Sequence, residues 1–255
     1  MTDEPLSPII IGMLKDLEKV FKQHDVDFYI VGAVARDIHL SAIPGKAAFR
    51  ATKDVDLAIL LASEEQFYAV KQSMLATGTF EAHPTEPIKI FYKKSIEVDL
   101  LPFGAIENNS SETILNKPKV FVLDVPGFQE AYSSITTIDI DGTNINVCAI
   151  EGIVLLKLIA FDDRPSRTKD ISDIDHIIMV YFELYDTAVF NDSFDVMELY
   201  DTNESNYLSL VSARVIGRKM SNLLLHSPSL KNRVEGILTK RPIDTWQAML
   251  SGLLD

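Results

Sequence analysis

Lys53-Asp54-Val55-Asp56-Leu57-Ala58-Ile59-Leu60-Leu61 sets two acids two residues apart at the mouth of a β-favouring run. Side chains on a strand alternate faces, so Asp54 and Asp56 point one way while Val55 and Leu57 point the other. Two like charges side by side repel each other unless solvent or a cation intervenes, and hard carboxylate oxygens suit magnesium. Asp99 lies in a second alternating run, Ile96-Glu97-Val98-Asp99-Leu100-Leu101, in which Glu97 and Asp99 share the face opposite Val98 and Leu100. If the two strands are neighbours, Asp99 brings a third carboxylate to the pair. Three carboxylates can hold two metal ions about 3.5–4 Å apart, which clamps the attacking and leaving oxygens in phosphoryl transfer. Solvated acids at strand ends are the competing account of each segment taken alone.

Upstream, Tyr29-Ile30-Val31-Gly32-Ala33-Val34-Ala35-Arg36-Asp37 reads as a strand that breaks at a glycine and opens into a helix. Glycine allows close backbone approach to a ligand, and a helix N-terminus offers unpaired N–H groups to phosphate oxygens. Arg36 has two readings there, a phosphate contact or a partner for Asp37 or solvent. Around this segment, Pro8 to His24 carries a helical stripe of Ile9, Met13, Leu17, Val20 and Phe21. Ser41 to Thr52 reads as a loop. Val55 to Leu61 is a strand, and Ser63 caps a helix over Glu64 to Ala76. Further strands fall at Ile88–Tyr92 and Ile96–Leu101. Ile135–Ile140 and Asn144–Ala149 form a hairpin around Asp141-Gly142, a pair suited to a tight turn.

From Ile150 the pattern turns helical, with candidates at Glu151–Asp162, Thr168–Tyr185, Tyr207–Leu225 and Leu230–Leu238, and a loop within the acidic stretch Asp186–Asn206. Trp246 is expected to anchor the last helix to the core. The fold class is therefore α/β (α+β), a small mixed β-sheet with flanking helices over residues 1–150, followed by a mainly helical part over 151–255. Within that part, Ile153-Val154-Leu155-Leu156-Lys157-Leu158-Ile159-Ala160-Phe161 holds one charge in a run that is apolar all round. Such a helix is buried, and a buried ammonium needs an anion. Asp170 and Asp173, three apart on one helix face, can pair with Lys157 and tie two helices together. Alternatively, Lys157 faces a triphosphate and these acids hold it in place.

Composition bounds the function. The 255 residues are 47% hydrophobic and 24% charged, which fits a globular chain with a real core. No apolar run approaches the roughly 18 residues of a membrane span, and the acidic start, Met1-Thr2-Asp3-Glu4, does not read as a targeting peptide. The single cysteine, Cys148, allows no internal disulfide and is expected to be a buried thiol in a reducing cytoplasm. A net charge of −13 argues against broad nucleic-acid binding, which draws on Lys and Arg. The five histidines show no metal-ligand spacing.

Gly32-Ala33, Asp54-Val55-Asp56-Leu57 and Val98-Asp99-Leu100, in that order, resemble the DNA-polymerase-β-like nucleotidyltransferase superfamily. The resemblance implies a transferase that moves a nucleoside monophosphate from a triphosphate such as ATP to a hydroxyl on a small molecule, protein or RNA end. It assigns Asp54, Asp56 and Asp99 to two magnesium ions, Asp99 on the acceptor side, and Gly32, Ala33 and Arg36 to the nucleotide. Ala33 departs from the usual second Gly or Ser, so a hydroxyl contact to phosphate is missing there. Lys157, Arg164, Lys169, Asp170 and Asp173 resemble a segment of abortive-infection-type nucleotidyltransferases. That resemblance implies nucleotide roles for Lys157 and Asp170 and a cognate antitoxin as a partner. A tRNA 3′-end-adding enzyme shares the opening motifs but lacks a counterpart for its Arg-Arg-Asp-Phe-like segment here. A binding-only domain of the same fold would not need all three acids.

Overall fold

The computed structural model describes residues 6–43, 54–140 and 142–255. Most of the expected loop at Ser41–Thr52 lies outside the described residues, as does Asp141 of the Asp-Gly turn. Contacts divide the chain into two compact units between Cys148 and Ala149, with Ala42 and Ile43 grouped with the second.

The first unit contains helices α1 (Pro8–Gln23), α2 (Gly32–Leu40), α3 (Glu64–Ala76) and α4 (Phe128–Tyr132). Its strands are β1 (Phe28–Val31), β2 (Asp54–Leu60), β3 (Phe80–Ala82), β4 (Lys89–Tyr92), β5 (Ile96–Phe103), β6 (Glu112–Leu115), β7 (Phe121–Asp124), β8 (Thr136–Ile140) and β9 (Thr143–Val147). Seven of them form one mixed sheet in the order β3-β4-β5-β2-β1-β9-β8, while β6 and β7 pair separately. At the centre, β2 runs antiparallel to β1 and parallel to β5, a pairing that joins segments about forty residues apart.

The two sheet faces are sorted by alternation. Val55, Leu57, Val98, Leu100 and Ile90 are almost fully buried on one side. That side carries Tyr92, whose hydroxyl donates to Asp16 on α1 at 2.9 Å. Helix α3 starts as expected, with Gln66 N–H donating to Ser63 Oγ at 3.3 Å, and is tied to the end of α1 through His24 and Ser73 at 2.8 Å. On the other side, Tyr29 and Phe103 meet edge to face at 5.7 Å, and Tyr29 donates to the Phe128 carbonyl of α4 at 2.7 Å. Aromatic rings thus close that face at one end. Its other end carries the acids.

The second unit comprises α5 (Ile150–Asp163), α6 (Thr168–Asp192), α7 (Phe194–Met197), α8 (Tyr207–Leu223), α9 (Pro228–Thr239) and α10 (Asp244–Leu254). Helix α6 runs past its expected end at Tyr185, but that residue leaves the helical region (φ −134°, ψ 26°) and kinks it. The stretch expected to contain a loop is therefore largely helical to Met197. Gly217 of α8 and Gly252 of α10 let two backbones touch. A Cβ on either would collide with the other helix, at the carbonyls of Met249 and Arg214 respectively. Trp246 is fully buried, under Arg241 at 5.0 Å and with its ring N–H directed to Asp175 at 3.4 Å. No described helix is long and apolar enough to cross a membrane.

Candidate active site

The pairing of β2 with β5 is in register Asp54↔Glu97 and Asp56↔Asp99. Residues opposite each other in adjacent strands share a face, so the sheet lays out four carboxylates two by two. The geometric condition set by the sequence is met: Asp99 stands beside Asp56, not behind it. Asp54 is exposed and Asp56 half-buried, at the strand end where the apolar alternation stops.

On the opposite flank, Val31 of β1 pairs with Asp56, and α2 begins at the next residue. Gly32 holds φ +67°, a conformation that L side chains rarely adopt. A Cβ there would lie 3.1 Å from Asp56 Cγ and collide with its Oδ2. The glycine is therefore needed twice, for its backbone angle and for the space that Asp56 fills.

Asp99 is the third member. Its Oδ1 is buried and accepts no hydrogen bond. Lys89, its register partner on β4, brings Nζ to 3.4 Å from that oxygen and also contacts Glu97. Burial pushes the Asp99 carboxyl above the ordinary value of 3.8. Lys89 opposes the rise, while Glu97 and Asp54 add to it. Among the described residues no three His, Cys, Asp or Glu side chains stand close enough to hold a metal ion as they are. Lys89 thus places a positive charge against the Asp99 carboxylate.

The remaining candidates fall elsewhere. Arg36 is completely buried, and its Nε and terminal nitrogen donate to Asp37 Oδ1 at 2.9 and 2.5 Å. Of the two readings of Arg36, the pairing with Asp37 is the one the structure displays, with the guanidinium in the interior. Ala33 is half-buried in the first turn of α2. In the second unit, Lys157 of α5 donates to Asp170 Oδ1 at 3.2 Å and Asp173 Oδ2 at 2.8 Å, with all three buried. Arg167 also reaches Asp170, at 2.9 Å. This is the helix-tying pair, formed with both acids at once.

Lys89 escaped sequence reasoning. Alternation in Ile88–Tyr92 puts Lys89 and Phe91 on one face, but the register with Asp99 depends on the turn at Lys93 and Lys94. Both adopt positive φ, 47° and 59°, which residue type alone does not announce.

Solved structures resembling this chain are remote. The antibiotic-resistance factor ANT(2″)-Ia is 12% identical, with TM-score 0.44 over 87% of this chain and 98% of its own. An antigenic nucleotidyltransferase-like protein from Paracoccidioides brasiliensis is 17% identical, with TM-score 0.42 over 86% and 88%. A CCA-adding enzyme is 14% identical, with TM-score 0.35 over 98% of this chain and 65% of its own. No curated protein matches the chain. The model of one family, however, matches residues 16–255. The chain belongs to the nucleotidyl transferase AbiEii toxin family of type IV toxin–antitoxin systems, and it is a nucleotidyltransferase.

Proposed function

We propose that this transferase moves a nucleoside monophosphate from a nucleoside triphosphate to a hydroxyl acceptor, with magnesium held by Asp54, Asp56 and Asp99. The observation that carries the reading is the side-by-side register of Asp56 and Asp99, with Asp54 on the same face, next to the glycine that opens α2. The residues suit hard divalent cations in three ways. The donors are all carboxylates, Asp99 Oδ1 lacks a hydrogen bond, and the Lys89 ammonium already stands in as a cation. Two ions fit the number of acids.

Bound there, such ions supply charge stabilisation for the attacking and leaving oxygens of an in-line displacement. The chain's own groups do the rest. Asp54 and Asp56 would hold both ions, through which the triphosphate is bound, and backbone N–H groups at the start of α2 would face phosphate oxygens. Asp99 takes the proton of the attacking hydroxyl as its oxygen bonds to the α-phosphorus and pyrophosphate leaves. Burial raises the Asp99 carboxyl, in the direction that makes a carboxylate a better base.

Lys157 and Asp170 enter as nucleotide-binding residues through the family resemblance alone. A cognate antitoxin belongs to the same proposal, since the family is described as a toxin of a type IV system. The acceptor is a small molecule, protein or RNA end, and a net charge of −13 favours an acceptor that needs no broad basic surface. A reducing cytoplasm suits the single cysteine, Cys148, which is buried and forms no disulfide.

Thermal melts with each of the four nucleoside triphosphates, with and without magnesium, test the site. Stabilisation is expected only when both are present, approaching about 2.7 kcal/mol at a hundredfold excess over Kd, and Asp56→Ala removes it. Stabilisation indifferent to magnesium and to Asp56→Ala contradicts the reading.

A further inference from the structure

Lys89 sits where two positive charges would share one carboxylate. Asp99 must give an oxygen to a cation if the proposed reaction is right, yet in the folded chain its buried Oδ1 faces the Lys89 ammonium at 3.4 Å. That contact lacks hydrogen-bond geometry, since Oδ1 is without a hydrogen bond while Lys89 donates to Glu97 Oε1. The ammonium thus lies closer to Glu97 than to Asp99. Glu97 lies two residues before Asp99 on the same face of β5, opposite Asp54. Its place in the site is otherwise unexplained, because a fourth acid adds repulsion to three that already repel.

We propose that Lys89 is a resident counter-ion of the acceptor side: it neutralises Asp99 in the metal-free protein and yields it to an incoming divalent cation by retreating onto Glu97. The inference rests on the metal reading given above and assigns positioning roles to two residues which that reading leaves idle. Glu97 acts through Lys89. With Glu97 present, the ammonium keeps a carboxylate partner after leaving Asp99. Without it, Lys89 has only Asp99 to hold and competes harder with the cation.

Manganese binding to the nucleotide-free protein, followed by electron paramagnetic resonance, separates this from a simple field effect. Lys89→Met keeps the aliphatic stem and is expected to bind manganese about tenfold tighter, while Glu97→Gln binds about tenfold weaker, both within the range of coupled neighbours. If Lys89 hands Asp99 over, the double variant binds like Lys89→Met, because Glu97 matters only through the ammonium. If the two acids and the lysine act merely as additive charges, the double variant returns to the wild-type affinity, and the proposal is overturned. Lys89→Gln and Glu97→Leu provide the same cycle should a first-choice variant fold poorly. Asp56→Asn serves as the reference: manganese binding undiminished in that variant overturns the metal reading itself, whereas an additive cycle with binding lost in Asp56→Asn overturns the role of Lys89 alone.

Discussion

The Asp56 carboxylate occupies the space that a side chain on Gly32 would need, with Asp56 Cγ 3.1 Å from where the Cβ would stand. The helix-opening glycine and strand β2 are therefore one construction. Gly32→Ala faces both a left-handed backbone angle, costing about 1–2 kcal/mol, and a displaced Asp56. Because a shift near 1 Å can cost on the order of a hundredfold in rate, transfer is expected to fall by that much while most molecules stay folded. Steady-state transfer assays beside thermal melts check the pair of effects. Unchanged transfer would show that Asp56 does not need its present position.

Lys157 is 9% exposed and lies between two buried acids. Removing one partner of a buried ion pair leaves uncompensated charge, so Lys157→Met is expected to destabilise the chain by about 3–5 kcal/mol. Urea denaturation measures it. A loss below about 1 kcal/mol, outside that range for broken buried pairs, would mean that the lysine is retained for something other than holding α5 to α6. Any activity lost in this variant must be compared at temperatures where the folded fraction is equal.

The general plan of the chain was legible because strong periodicities carry it. The alternation in residues 55–61 and 96–101, the Ser63 cap and the apolar run of α5 read directly as strand, strand, helix start and buried helix. Three short strands were not legible. Phe80–Ala82, Glu112–Leu115 and Phe121–Asp124 span three or four residues each, too few for a period to emerge. The candidate site stood in the sequence as a list of acids, not as an arrangement. Pairing of β2 with β5 is a tertiary event, so Asp56↔Asp99 had to be assumed, and Lys89 joined only once β4 was in register. Arg36 carried two readings in the sequence, and its complete burial, which residue type does not announce, goes with the pairing to Asp37.

Gly217 and Gly252 mark where α8 and α10 touch backbone to backbone. A methyl group at either position has carbonyl atoms in its way, which cannot rotate aside like a side chain. Gly252→Ala is expected to cost about 1–3 kcal/mol through overpacking, although alanine is the better helix former. Denaturation midpoints decide the sign. A stabilised variant would show that the two helices separate readily.

Asp162 of α5 binds Lys240 at 2.9 Å and Arg233 of α9 at 3.3 Å. The hydrogen bond from Lys240, followed by that from Arg233, holds its carboxyl below the ordinary value of 3.8. A depressed carboxylate contributes stability that is present above 3.8 and lost as pH falls through the lower folded value. Asp162→Asn should therefore cost about 0.5–1 kcal/mol near neutral pH, with the gap from wild type closing only below pH 3.8. Urea titrations at several pH values follow it. A gap that closes between pH 5 and 7 would contradict the assignment.

The most direct measurement incubates wild type and Asp56→Asn with each α-labelled nucleoside triphosphate, magnesium and a cell extract, then follows where label goes. Wild type is expected to place label from at least one triphosphate on a small-molecule, protein or RNA fraction, and Asp56→Asn to do so roughly a hundredfold less or worse. Equal labelling by the two proteins, or nucleotide binding by wild type with no transfer from any triphosphate, would contradict the account.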